Sequence, residues 1–138
     1  QINPNHAGAY NNLGNALKDL GEYKKAISCY EKAIQIKPNH AGAYNNLGNV
    51  FRELEESKKA LGYYEKAIQI NPNHTYAYNN LGNVFKDLGE HKKAISYFQK
   101  TNSIASKEEL LKYSYLLDGL EDYKKNLEKF IKKLHLIY

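Results

Sequence analysis

The side chains able to do chemistry in this sequence recur at one spacing. Histidine stands at positions 6, 40 and 74, thirty-four residues apart, with two more at 91 and 135, and Cys29 is the single thiol. Three histidines share a metal only if their nitrogens converge to about 2 Å from it. Residues one repeat apart are held on the order of 10 Å apart when helices pack at 8–10 Å. One cysteine excludes an internal disulfide and a multi-cysteine zinc site. No Cys/His/Asp or Ser/His/Asp set falls outside the repeated positions, and Gly14, Gly48 and Gly82 lie within helical patterns rather than in a phosphate-cradling loop. No metal, no cofactor and no catalytic residue is expected, so the chain reads as non-enzymatic.

Asparagine is the recurring residue with recognition chemistry. Asn11, Asn12 and Asn15 are followed by Lys18 and Asp19. Asn45, Asn46 and Asn49 precede Arg52 and Glu53, and Asn79, Asn80 and Asn83 precede Lys86 and Asp87. A carboxamide offers a donor and an acceptor together, so it can pair with the N–H and C=O of one residue in an extended chain. A ladder of such groups reads backbone and is nearly blind to side chains. Each cation has an acid beside it, which leaves the face close to neutral. Solubility or hydrogen bonding between helices would use the same amides, and the spacing alone does not separate these roles.

These residues are positioned by an internal repeat. Residues 5–38, 39–72 and 73–106 are three copies of 34 residues each; the first two share 24 of 34 positions and the second and third share 19. Within a copy, Tyr10, Leu13, Leu17 and Leu20 are spaced as one stripe of a helix, and Tyr44, Leu47, Phe51, Leu54 and Tyr78, Leu81, Phe85, Leu88 repeat it. Ala26, Ile27, Tyr30, Ala33 and Ile34 mark a second helix. Gly21 lies in the turn between them, where a left-handed residue ends a helix. Pro38 and Pro72 close the second helices, and Asn39 and Asn73 are the expected N-caps of the next. At 55 the glycine of the turn is replaced by Glu, and Gly62 sits inside a helix, so the central copy is expected to be the softest. A lone hairpin cannot bury its stripe, so the copies must stack into an all-α solenoid.

On these residues the unit resembles the tetratricopeptide repeat (TPR). The family's pattern of aromatic, Leu-Gly, large apolar, Ala, aromatic, Ala and late Pro is matched by Tyr10, Leu13-Gly14, Leu17, Ala26, Tyr30, Ala33 and Pro38. The third copy departs with Thr101 for the second alanine and Ser106 for the proline. The resemblance implies a right-handed superhelix of helical hairpins whose first helices line a concave, peptide-binding groove. The groove residues would be Asn11, Asn12, Asn15, Lys18, Asn45, Asn46, Asn49, Arg52, Tyr76, Asn79, Asn80, Asn83 and Lys86. The asparagine lining is similar to the TPR arm of O-linked N-acetylglucosamine transferases, which implies a substrate-recognition arm of a larger enzyme as the alternative to a free-standing binding module. The family's dicarboxylate clamp for chaperone tails is not matched: Asn15 and Asn46 fit its asparagines, but Asn11, Tyr76 and Asn80 stand where it needs cations.

The ends differ from the repeats. Gln1-Ile2-Asn3-Pro4 duplicates Gln69-Ile70-Asn71-Pro72, which reads as the tail of a truncated upstream repeat. The severed face it implies would allow end-to-end self-association. Residues 107–138 read as a degenerate fourth hairpin breaking after Gly119 and capping the stack, with a basic amphipathic docking helix as the sharper alternative. The net charge of +5 is spread thinly, no segment exceeding +2, and the lysine pairs 24–25, 58–59 and 92–93 read as a solvated ridge rather than a nucleic-acid surface. No apolar run reaches the ~20 residues of a membrane span, and no leader is apparent. A protein or peptide partner, no nucleic acid, no membrane and an intracellular, cytoplasmic setting are the resulting expectations.

Overall fold

The computed structural model describes the backbone of residues 5–101 and 104–137, with side chains at all of these except 5, 104–110, 113, 114, 136 and 137. The described residues form α1 (Asn5–Asp19), α2 (Tyr23–Ile36), α3 (Ala41–Glu53), α4 (Ser57–Ile70), α5 (Thr75–Asp87), α6 (His91–Phe98) and α7 (Ile104–Ile137), with no strand among them. The first six pair into the three expected hairpins, each stacked on the next through α2 against α3 and α4 against α5. The reading of residues 1–4 lies outside the described residues.

Close approach within a hairpin depends on one glycine and one ring. A Cβ added at Gly14 would fall 2.5 Å from the Tyr30 ring, at Gly48 2.5 Å from Tyr64, and at Gly82 2.5 Å from Phe98. Those rings are fully buried, with Ala26, Ala60 and Ala94 beside them. Ala26, Tyr30, Leu47 and Val50 form one core cluster, and Ala60, Tyr64, Leu81, Val84, Phe85, Ala94 and Phe98 form the next. Phe51 packs against both, so the interior runs on from repeat to repeat. Leu13 is the exception: it is 49% exposed where Leu47 and Leu81 are buried, because no described hairpin precedes α1.

The three turns share one geometry. Gly21, Glu55 and Gly89 all take positive φ, at 76°, 60° and 76°. In each, the next N–H reaches back to the carbonyl five residues earlier, as in Glu56 N to Phe51 O at 2.8 Å. Glu55 therefore occupies the left-handed conformation that its neighbours give to glycine, as the sequence predicts for the strained central copy. The expected N-caps are displaced by one residue. His40 and His74 hold the cap positions, each Nδ1 accepting from the N–H three residues on, Ala43 at 3.1 Å and Ala77 at 3.2 Å. Asn39 and Asn73 lie one residue too early to reach that donor.

The third copy departs where its sequence does. Helix α6 spans 8 residues against 14 for α2 and α4. The Phe98 carbonyl accepts from both the N–H and the hydroxyl of buried Thr101, each at 3.1 Å, which withdraws it from a continuing helix. Beyond it, the expected fourth hairpin is absent: residues 104–137 form one continuous helix running through Gly119, which is not among the positive-φ glycines. A hairpin needs small residues where its helices cross, and Asn126 and Lys133 stand where the alanines would be. In the second half of α7, Leu120, Tyr123, Leu127, Phe130 and Leu134 are all exposed.

Candidate functional site

The first helices of the hairpins bring the asparagines together, and bind them to one another. Asn46 Nδ2 donates to Asn11 Oδ1 at 2.9 Å. Asn80 Nδ2 donates to Asn45 Oδ1 at 3.0 Å and to Asn49 Oδ1 at 3.1 Å. The second helices add a tether, with Tyr30 OH donating to Asn15 Oδ1 at 2.7 Å and Tyr64 OH to Asn49 Oδ1 at 2.8 Å. Phe98 has no hydroxyl, so Asn83 lacks the corresponding tether. Burial pushes the Tyr30 phenol up to about 12, with Asp19 adding to the shift, and burial likewise raises Tyr64. Both remain protonated donors at neutral pH.

The amides are not equivalent. Asn45 is buried, Asn12 is exposed, and Asn11, Asn15, Asn46, Asn49, Asn79, Asn80 and Asn83 lie between. Asn12 and Asn83 make no side-chain hydrogen bond among the described residues. Asn80 uses its carboxamide N–H group on two acceptors and retains Oδ1; Asn49 Oδ1 receives two donors and retains its N–H group. The cross-repeat pairs 11/46 and 45/80 are separated by 35 residues, one more than the period. The same offset joins Arg52 to Asp87.

Charge on this face is paired. Arg52 donates through Nε and Nη2 to Asp87 Oδ2 at 3.0 and 2.9 Å, and Lys18 lies 3.4 Å from Asp19. Arg52, Glu53, Glu55, Ser57 and Asp87 line a cleft of about 550 Å3. Tyr76 stands clear of the amides, 77% exposed and edge-on to His74 with ring centroids 6.4 Å apart. On the second helices, Lys25, Lys59 and Lys93 pair with Glu22, Glu56 and Glu90 at 3.4, 2.7 and 2.7 Å. These pairs compensate half of the lysine ridge.

Sequence reasoning placed the amides on one face but missed three of the structural features there. The tyrosine tethers were concealed because Tyr30 and Tyr64 fit packing positions, and their hydroxyls need a partner only once buried. The Arg52–Asp87 pair was legible as an acid and a base one period plus one apart. The histidine caps had a weaker signal, the recurrence of histidine just before each first helix. Burial lowers the pKa of His40 and His74, and Lys37 lowers His40 further, which keeps each Nδ1 an acceptor at neutral pH.

Comparison with known proteins agrees with this architecture. Solved structures with the same fold include the first TPR of Spaghetti (RPAP3) bound to the HSP90 peptide SRMEEVD, at 23% identity and a TM-score of 0.77 over 85% of this chain and 97% of that one. The Sgt2 TPR domain from Aspergillus fumigatus gives 24% and 0.75 over 84% and 82%. MamA is 32% identical with a TM-score of 0.65, over 82% of this chain and 63% of that one. No curated protein sequence matches. The family model described as Tetratricopeptide repeat matches residues 5–73 and 42–107, and on that span the chain belongs to the tetratricopeptide repeat family.

Proposed function

We propose that the chain is a non-catalytic module that holds an extended peptide along the amide face of α1, α3 and α5. The observation that carries this reading is the state of the amides. Hydrogen bonds across the repeats fix their orientation, while donors at Asn15 and Asn49 and acceptors at Asn46 and Asn80 remain for a ligand. A preorganised set of alternating donors and acceptors matches the backbone of an extended chain at low ordering cost.

Spaghetti (RPAP3) shows that a TPR fold of this size can hold a short peptide. A peptide ending in a carboxylate finds no cation at Asn11, Tyr76 or Asn80 here, so a free C-terminus contributes nothing. The test uses a labelled, end-blocked Ser/Thr/Val dodecamer in fluorescence anisotropy. Binding is expected to survive scrambling of the dodecamer. It should weaken by about thirtyfold in the Asn12→Ala/Asn83→Ala double variant, since two hydrogen bonds at about 1 kcal/mol each are lost without disturbing the amide ladder. Unchanged affinity in that variant, or binding of SRMEEVD that depends on its free carboxylate, overturns the reading. The same side-chain-blind face would serve the recognition arm of a larger enzyme such as a glycosyltransferase, and the dodecamer result applies to either setting.

End-to-end self-association rests on Leu13 at the open face of α1. Sedimentation is expected to show a weak dimer that Leu13→Glu dissolves, and a concentration-independent monomer overturns it.

A further inference from the structure

We propose that the outer face of α7 is a coiled-coil seam that takes an acidic amphipathic helix of a partner protein. Leu116, Leu120, Tyr123, Leu127, Phe130 and Leu134 are spaced 4, 3, 4, 3 and 4 residues apart, a mean of 3.6 per turn and the alternation of a heptad seam. All six are exposed, between 41% and 68%, beside Ile131 at 45%. From Leu116 to Leu134, 18 residue steps, the stripe is about 27 Å long at 1.5 Å per residue, enough for two and a half heptads. The hairpins leave no such stripe open: their rings at Tyr30, Tyr64 and Phe98 are buried.

The charges beside the seam select the occupant. The positions flanking it are Leu117, Lys124 and Ile131 on one side and Gly119, Asn126 and Lys133 on the other. Both charged residues are lysine. The acids Asp118, Glu121, Asp122 and Glu128 lie on the far side of the helix, together with Lys125, Lys129 and Lys132. A second copy does not complement this pattern: parallel pairing sets Lys124 opposite Gly119, and antiparallel pairing sets Lys124 against Lys124. A helix with glutamate at its own flanking positions supplies the missing charge. That far side carries four acids against three lysines, so it adds no net attraction to an anionic lipid surface.

The probe is a labelled 28-residue peptide with Leu at both seam positions and Glu at both flanking positions, titrated with the full chain. Saturable binding is expected, weakening with salt, lost in Leu127→Asp and reduced about tenfold in Lys124→Glu/Lys133→Glu. Circular dichroism confirms that both variants keep the helical content of the hairpins. Absence of binding, or equal binding of a peptide carrying Lys at the flanking positions, overturns the proposal. So does a dimer in sedimentation that Leu127→Asp dissolves and Leu13→Glu does not, which makes a second copy the occupant. Binding to phosphatidylserine vesicles abolished by the same substitution makes the occupant a membrane and equally overturns it.

Discussion

Residues Tyr64 and Tyr123 are both tyrosines in helices of similar composition, yet the first is fully buried and the second 68% exposed. The difference lies in what faces them. Tyr64 crosses α3 at Gly48, where a Cβ would stand 2.5 Å from the ring, and Ala60 clears the way on its own helix. Along α7 nothing lies within 4 Å of a Cβ built at Gly119, because no described helix packs against it there. An aromatic stripe therefore becomes core only where the opposing helix is notched by a small residue and a positive-φ turn brings it back. The hairpins supply both conditions and α7 supplies neither. That leaves α7 with a seam open to a partner.

Substitutions can break this contrast, the strongest first. Tyr64→Ala is expected to cost about 3–5 kcal/mol, the range for emptying a buried aromatic site, while Tyr123→Ala leaves the unfolding midpoint of the hairpins unchanged. Urea titrations followed by circular dichroism read both, and equal effects would abolish the distinction. Gly48→Ala must push the Tyr64 ring aside and is expected to destabilise by about 1–3 kcal/mol. The same change at Gly119 is expected to raise the helicity of α7, by about 1 kcal/mol of local stability.

Glu55→Gly sharpens the comparison among the hairpins themselves. It relieves a left-handed glutamate and is expected to stabilise the central repeat by about 1 kcal/mol. Thermal melting checks the sign, and hydrogen exchange locates the gain at α3 and α4. A fall in midpoint contradicts the strain assigned to this turn.

The smallest effect is one of pH. His40 and His74 cap α3 and α5 as neutral acceptors, and burial sets their pKa below the ordinary histidine value. The unfolded chain therefore takes up these protons first. Their contribution is full above about pH 6.5 and is lost as pH falls through the lowered folded values. Melting of the hairpins at pH 7.5 and pH 5 is expected to show a drop in midpoint that His40→Asn/His74→Asn diminishes, since asparagine caps without titrating.

The candidate face was half legible. The rows of asparagine followed from periodicity alone, because a helix turning about 100° per residue fixes which side chains share an azimuth. That they bond to each other did not follow. Stacking offsets neighbouring first helices by one residue beyond the period, and only that offset brings Asn46 to Asn11 and Arg52 to Asp87. The caps failed for a related reason: Asn39 and His40 are both capping-competent, and the turn geometry chose the later one.

The sequence by itself determined the 34-residue hairpin, its turns, the strained Glu55 and the notched crossings, since these depend on residues close along the chain. Tertiary structure decided which amides are satisfied within the stack, and that one long helix follows α6. Residues 107–138 echo the repeat in sequence, but a hairpin closes only if the returning helix finds small residues to lie against. Asn126 and Lys133 stand where such small residues would be, and α7 runs on as a single helix with Leu120, Tyr123, Leu127, Phe130 and Leu134 exposed.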